Sequence, residues 1–122
     1  MDNGILIIED EAIIALDIAR KVKNLGYTVT GIAADEKEAL ILVEKNKPAI
    51  ALVDIKLKGE SDGIEVAKKL KERFSLPIIF LTAYSDSQVR ERAMKILPAG
   101  YLLKPIIKAE FERTIKSVMS QK

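Results

Sequence analysis

Short apolar runs alternate along this chain with longer stretches in which apolar residues recur every three or four positions. The runs at residues 5–8, 27–33, 49–53, 78–81 and 101–103 have the length of buried strands. Between them the spacing is helical. Ile14, Ile18, Val22 and Leu25 share one face of a first helix, with Gly26 placed to end it. Asp35 and Glu38 form a capping box for a second helix that buries Ala39, Leu42 and Val43. Ala67, Leu70 and Phe74 line a third helix that stops before Pro77. Val89, Ala93, Ile96 and Leu97 line a fourth ended by Pro98, and Phe111, Ile115, Val118 and Met119 line a fifth.

Strands that alternate with helices imply right-handed crossovers and a parallel sheet. The strand runs are almost wholly apolar, as a sheet covered on both faces requires. Five such units in 122 residues predict an α/β, flavodoxin-like doubly wound (βα)5 domain, strand order 2-1-3-4-5, with helices on both faces. No repeat, linker or low-complexity stretch divides it.

Composition narrows the chemistry. The chain has 20 Lys plus Arg against 18 Asp plus Glu, a near balance that predicts no direct nucleic-acid binding. It contains no cysteine and no histidine. Thiol nucleophiles, Ser-His and Cys-His arrangements and the usual zinc ligands are therefore excluded, and the chain cannot itself be a phosphohistidine donor. No basic stretch leads into an apolar run near residue 1, and no run approaches the ~20 residues of a membrane span. The expectation is a cytoplasmic domain without signal peptide or membrane contact.

In an open parallel sheet, ligands bind beyond the carboxyl ends of the strands. Glu9, Asp10 and Glu11 follow the first run, Asp54 the third, Thr82-Ala83 the fourth and Lys104-Pro105 the fifth. With the first and third strands adjacent, Glu9, Asp10 and Asp54 converge, flanked by one hydroxyl and one ammonium group. Clustered carboxylates repel unless a proton or a hard cation joins them, and Mg²⁺ takes one or two carboxylates with waters and phosphate oxygens. Such a cluster suits a phosphoryl group on a carboxylate, with Asp54 as nucleophile. Each residue has a plainer reading alone: the acid pair as a helix cap, Asp54 as a turn residue, Thr82 as a cap, Lys-Pro as a loop. Their joint placement at four strand ends favours the site.

These residues resemble the receiver domain of two-component response regulators, across the whole of residues 1–122 as one domain. The resemblance rests on Ile5-Leu6-Ile7-Ile8-Glu9-Asp10-Glu11, Leu52-Val53-Asp54-Ile55, Pro77-Ile78-Ile79-Phe80-Leu81-Thr82-Ala83 and Tyr101-Leu102-Leu103-Lys104-Pro105. It implies that Asp54 accepts a phosphoryl group from the phosphohistidine of a sensor histidine kinase. It implies Mg²⁺ bound by Asp10, Asp54 and the backbone carbonyl of Lys56, with Glu9 acting through water. Thr82 and Lys104 would contact the phosphoryl oxygens, Tyr101 would switch as Thr82 moves, and Lys104-Pro105 would be cis. The protein would then be a switch rather than an enzyme, catalysing only its own phosphorylation and dephosphorylation. Its output would be an altered surface on the fourth helix, fifth strand and fifth helix, near Arg92, Lys95 and Lys108. That face could contact a downstream protein, a fused output domain or a second copy in a homodimer.

Three stretches depart from the common family pattern. Lys58 stands where many receivers have proline, and residues 58–63 make a longer loop. Leu97-Pro98-Ala99-Gly100 replaces the more usual Gly-Ala-x-Asp. Lys56 and Tyr84 occupy variable positions that in the family tune the lifetime of the phosphoryl group. The competing readings are a pseudo-receiver that binds without phosphorylation, an FMN-binding flavodoxin and an aspartate-nucleophile phosphatase. The retained acids and lysine argue against the first. The lack of a Ser/Thr/Gly-rich loop after the first strand argues against the second. Asp54-Ile55-Lys56, where haloacid dehalogenase-like phosphatases carry Asp-x-Asp, argues against the third.

Overall fold

A computed structural model describes residues 3–57, 62–83 and 87–121. Five strands and five helices alternate: β1 (Gly4–Ile8), α1 (Ala12–Asn24), β2 (Thr28–Ala33), α2 (Glu36–Lys45), β3 (Ile50–Asp54), α3 (Gly63–Phe74), β4 (Ile78–Thr82), α4 (Ser87–Lys95), β5 (Gly100–Leu103) and α5 (Lys108–Ser120). The strands form one sheet in the order β2-β1-β3-β4-β5, every pair parallel. This is the doubly wound architecture expected from the pattern.

The continuous apolar runs are explained by the two faces of the sheet. Side chains alternate across a strand, so Leu6 and Ile8 enter one core with Ala51, Val53, Phe80 and the apolar sides of α2, α3 and α4. Ile5 and Ile7 enter the other, with Leu52, Leu81 and the sides of α1 and α5. All residues of β1, β3 and β4 are buried, whereas the edge strands β2 and β5 are only partly covered.

Several boundaries differ from the sequence expectation. Strands β3 and β4 each run one residue further, so Asp54 and Thr82 are the last residues of their strands rather than the first beyond them. Pairing of Asp54 with Leu81, and of Thr82 with Leu103, extends the ladders. Asp35 caps α2 through Glu38 N–H at 2.9 Å, and Glu38 reaches back to Ala34 N–H at 2.8 Å, one residue before the partner a capping box uses. Leu42 is half-buried rather than buried, lying over Gly31 of β2. In α4 only Ala93 is buried, and Leu97 leaves the stripe altogether. The helix ends at Lys95, and Leu97, with φ +55°, turns its side chain outward to 75% exposure.

Candidate functional site

The crossovers put the carboxyl ends of β1 and β3 side by side, and the acids gather there. Glu9 leaves β1 with its backbone N–H donated to Ala33 at 2.9 Å, and its side chain is buried. Its Oε2 accepts from Glu11 N–H at 3.2 Å. Glu11 occupies the cap position of α1 and makes no side-chain capping bond. Capping carboxylates do occur elsewhere, at Asp35 and at Asp62, which accepts from Glu65 N–H. Asp54, nearly buried at the end of β3, accepts from Lys56 N–H on Oδ1 at 3.1 Å.

Lys104 joins the acids across the sheet. Its backbone N–H is donated to Thr82 at 2.8 Å, which holds the residue at the ends of β4 and β5. Its ammonium group lies 3.2 Å from Glu9 Oε1 and 3.2 Å from Asp54 Oδ2. The Lys104–Pro105 peptide is cis. One carboxylate oxygen from each of Glu9, Asp10 and Asp54 lies within 4.8 Å of the others. The cluster sits at a cleft of about 450 Å³ lined by Asp10, Asp54, Lys56, Ala83 and Lys104, with Ile14 and Leu57 as apolar walls.

The electrostatics follow from burial. Removal from water pushes the Glu9 carboxyl up to about 7 from its ordinary 4.5. The hydrogen bond and charge of Asp54 add to the rise, and Glu11 N–H and the Lys104 ammonium oppose it. For Lys104, burial lowers the pKa, but the charges and hydrogen bonds of Asp54 and Glu9 together outweigh it and the net shift is upward. Of the three clustered carboxylates, Lys104 pairs with Glu9 and Asp54. Oxygen donors at this separation are what a hard divalent cation takes.

The other expected residues lie nearby but not at the cleft. Thr82 is wholly buried, and its neighbour Ala83 is the one that lines the opening. Tyr101 lines a separate cleft with Arg90 and Lys104 and is half-buried, its ring edge-on to Phe80 at 6.3 Å and under the Arg90 guanidinium at 5.0 Å. Its hydroxyl is buried and has no hydrogen-bond partner among the described residues, and burial raises its pKa against the opposing charge of Arg90. Tyr84 and most of the 58–63 loop lie outside the described residues.

One residue of the site was not anticipated. Gly63 opens α3 directly on the backbone after β3, donating its N–H to Ile55 at 2.7 Å. A Cβ there would stand 2.0 Å from the Asp54 carbonyl oxygen and 2.7 Å from Ile55 Cα. The visible signal was a glycine at the first position of an amphipathic helix, just after a capping aspartate.

Comparison with known proteins settles the family. A family model described as the response regulator receiver domain matches residues 5–116. The chain belongs to that family. The receiver is 35% identical over 117 residues to the transcriptional regulatory protein PdtaR of Mycobacterium tuberculosis, covering 96% of this chain and 57% of that protein. It is 35% identical over 120 residues to the phyllosphere-induced regulator PhyR of Methylorubrum extorquens, covering 98% and 44%. It thus spans about half the length of these relatives. Among solved structures, the signal receiver domain of a modulated diguanylate cyclase from Desulfovibrio desulfuricans superposes with a TM-score of 0.91 at 36% identity, covering 99% of this chain and 96% of that one. Receivers of this family serve phosphorylation-dependent two-component signalling as switches, and they generally bind Mg²⁺ at an acidic pocket. Among the described residues, no helix is long and apolar enough to cross a membrane.

Proposed function

We propose that this receiver accepts a phosphoryl group on Asp54 from a phosphohistidine of a sensor kinase. The observation that carries the reading is the convergence of Glu9, Asp10 and Asp54 with Lys104 bonded to two of them. In the transfer, a carboxylate oxygen of Asp54 forms the new O–P bond while the donor's N–P bond breaks, the electron pair leaving with the imidazole nitrogen. Lys104, already 3.2 Å from Asp54, offers its ammonium to the incoming oxygens, where fixed charge in a partly desolvated site is most effective. Asp10, Asp54 and the Lys56 carbonyl would hold Mg²⁺, with Glu9 supporting it through water. Bound there, the ion supplies positive charge to acids and phosphoryl oxygens that otherwise repel.

The acyl phosphate adds roughly −1.5 to −2 charge, and this charge favours states in which Thr82 and Lys104 draw closer. Thr82 is buried and Tyr101 is half-buried, its hydroxyl without a partner among the described residues, a pair suited to moving together and shifting an existing equilibrium. The altered surface would be that of α4, β5 and α5, where Met94, Leu97, Leu103 and Ile107 are exposed. A protein target, an output domain in a longer chain or a second copy could read it.

The test is intact mass after incubation with Mg²⁺ and acetyl phosphate. The expected result is a gain of one phosphoryl group, lost in Asp54→Asn and in chelator. A chain that acid-quenched mass spectrometry never finds labelled, by acetyl phosphate or by phosphohistidine kinases, would make the pseudo-receiver the better reading.

A further inference from the structure

Helix α4 is held by polar ties more than by its core. α1 buries four residues, α3 five and α5 three, but α4 buries only Ala93, with Val89 and Ile96 half-covered. Met94 on the same helix is exposed. Two side chains bridge the gap to α3. At the carboxyl end of α4, Lys71 of α3 donates its ammonium to the carbonyls of Ile96 and Leu97, at 2.5 and 2.8 Å. Leu97 there sits in the left-handed region at φ +55°, a conformation that costs a branched side chain about 1–2 kcal/mol. A cation bound to the carbonyls just past a helix end complements the negative end of the helix dipole.

In the last turn of α4 itself, Arg92 pairs at 2.9 Å with Asp62, at the opposite end of α3 from Lys71. Asp62 has two roles, because its other oxygen caps α3 through Glu65 N–H at 3.0 Å. It also directly precedes Gly63, whose backbone rests on Asp54 and Ile55. The chain from the acceptor to α4 is therefore short: the end of β3, Gly63, Asp62, Arg92.

We propose that Lys71 and the Asp62–Arg92 pair form a two-point latch that holds α4 against α3, and that Asp62 links the latch to the end of β3. With so little apolar area buried on α4, breaking the latch opens the helix locally without unfolding the domain. The link through Asp62 rests on the phosphoacceptor reading; the latch itself does not.

The experiment is amide hydrogen exchange, read by mass spectrometry over residues 87–97, in the parent chain, Lys71→Met, Arg92→Ala and the double variant. Exchange in the double variant should be about tenfold faster, the size expected from losing a charge-assisted cap and an exposed ion pair. The unfolding free energy in urea should fall by no more than about 1.4 kcal/mol, the equivalent of that tenfold, and Arg92→Lys should keep most of the protection. Unchanged exchange in the double variant would overturn the latch, as would acceleration spread evenly over all helices. In a second arm, loading the parent with acetyl phosphate and Mg²⁺ should speed α4 exchange, and the increment should shrink in the double variant. Equal increments would overturn the role of Asp62. A parent that takes no phosphoryl group at all refutes the acceptor assignment, and the comparison among unloaded proteins still decides the latch.

Discussion

Replacing Glu9 by glutamine should stabilise the metal-free protein at pH 8, although it removes a site residue and one partner of Lys104. The Glu9 carboxyl is raised from 4.5 to about 7, chiefly by burial and then by Asp54. At about 1.4 kcal/mol per pH unit, keeping it ionised in the fold costs roughly 3 kcal/mol. The sign follows from proton binding. Between pH 4.5 and 7 the folded state holds a proton that the unfolded chain releases, so the contribution of Glu9 to stability is present below 4.5 and lost as pH rises through 7. Glutamine keeps an oxygen for Glu11 N–H, bonded at 3.2 Å to the native side chain, but gives up the ion pair with Lys104. The net gain at pH 8 should be about 1–3 kcal/mol. The more decisive quantity is the pH dependence, because it is insensitive to that offset. The excess of variant over parent should shrink by roughly 2 kcal/mol between pH 8 and pH 5. Urea denaturation in chelator at both pH values measures it. A difference between the two proteins that stays constant across this range would refute the account of Glu9 as a strained, buried acid, as would a less stable variant at pH 8. Saturating Mg²⁺ should shrink the advantage or reverse it, because the cation rewards the charge that the chelator leaves unbalanced.

Four further outcomes are expected. Gly63→Ala should lose about 3 kcal/mol or more in urea denaturation, because its Cβ would stand 2.0 Å from the Asp54 carbonyl oxygen and backbone must yield; a loss below about 1 kcal/mol would show that the turn yields freely. Lys104→Met should cost roughly 2 kcal/mol at pH 8 in chelator, since Glu9 and Asp54 lose the ammonium 3.2 Å from each; Mg²⁺ titrated into the variant should recover most of that loss in melting temperature. Tyr101→Phe should be neutral or slightly stabilising, because its buried hydroxyl makes no hydrogen bond among the described residues, and a melting temperature lowered by several degrees would mean the hydroxyl has a partner. Asp35→Ala should cost about 1 kcal/mol through the lost cap of α2, with the extent of acetyl phosphate labelling unchanged in a mass assay.

The fold was legible because burial on both faces of a parallel sheet demands what a reader can see. The runs around Leu6, Leu52 and Ile79 are unbroken by polar residues, and the stripes of Ile18 and Val22 or Phe111 and Ile115 have helical spacing. The acids were legible for a related reason. A charged residue directly after an apolar strand must lie at its end, and strand order then says which ends meet. Among the helices, α4 was the least well anticipated. Its stripe of four apolar residues resolves into one buried alanine, two half-covered side chains and an exposed leucine. Spacing reports which residues share a face, not how much of the sheet is left to cover it.

By itself, then, the chain's pattern determined the order of elements, the faces of the strands and the strand ends that carry Glu9, Asp10, Asp54, Thr82 and Lys104. Tertiary structure decided how those residues differ. Three consecutive acids end up buried at Glu9, half-buried at Asp10 and exposed at Glu11, because the turn into α1 directs each side chain differently. Packing of one helix end on one strand end requires glycine at 63, and the approach of α3 to α4 brings Lys71 to carbonyls 25 and 26 residues away. Local periodicity is written in neighbouring residues; contacts between distant ones depend on how the crossovers bring the elements together.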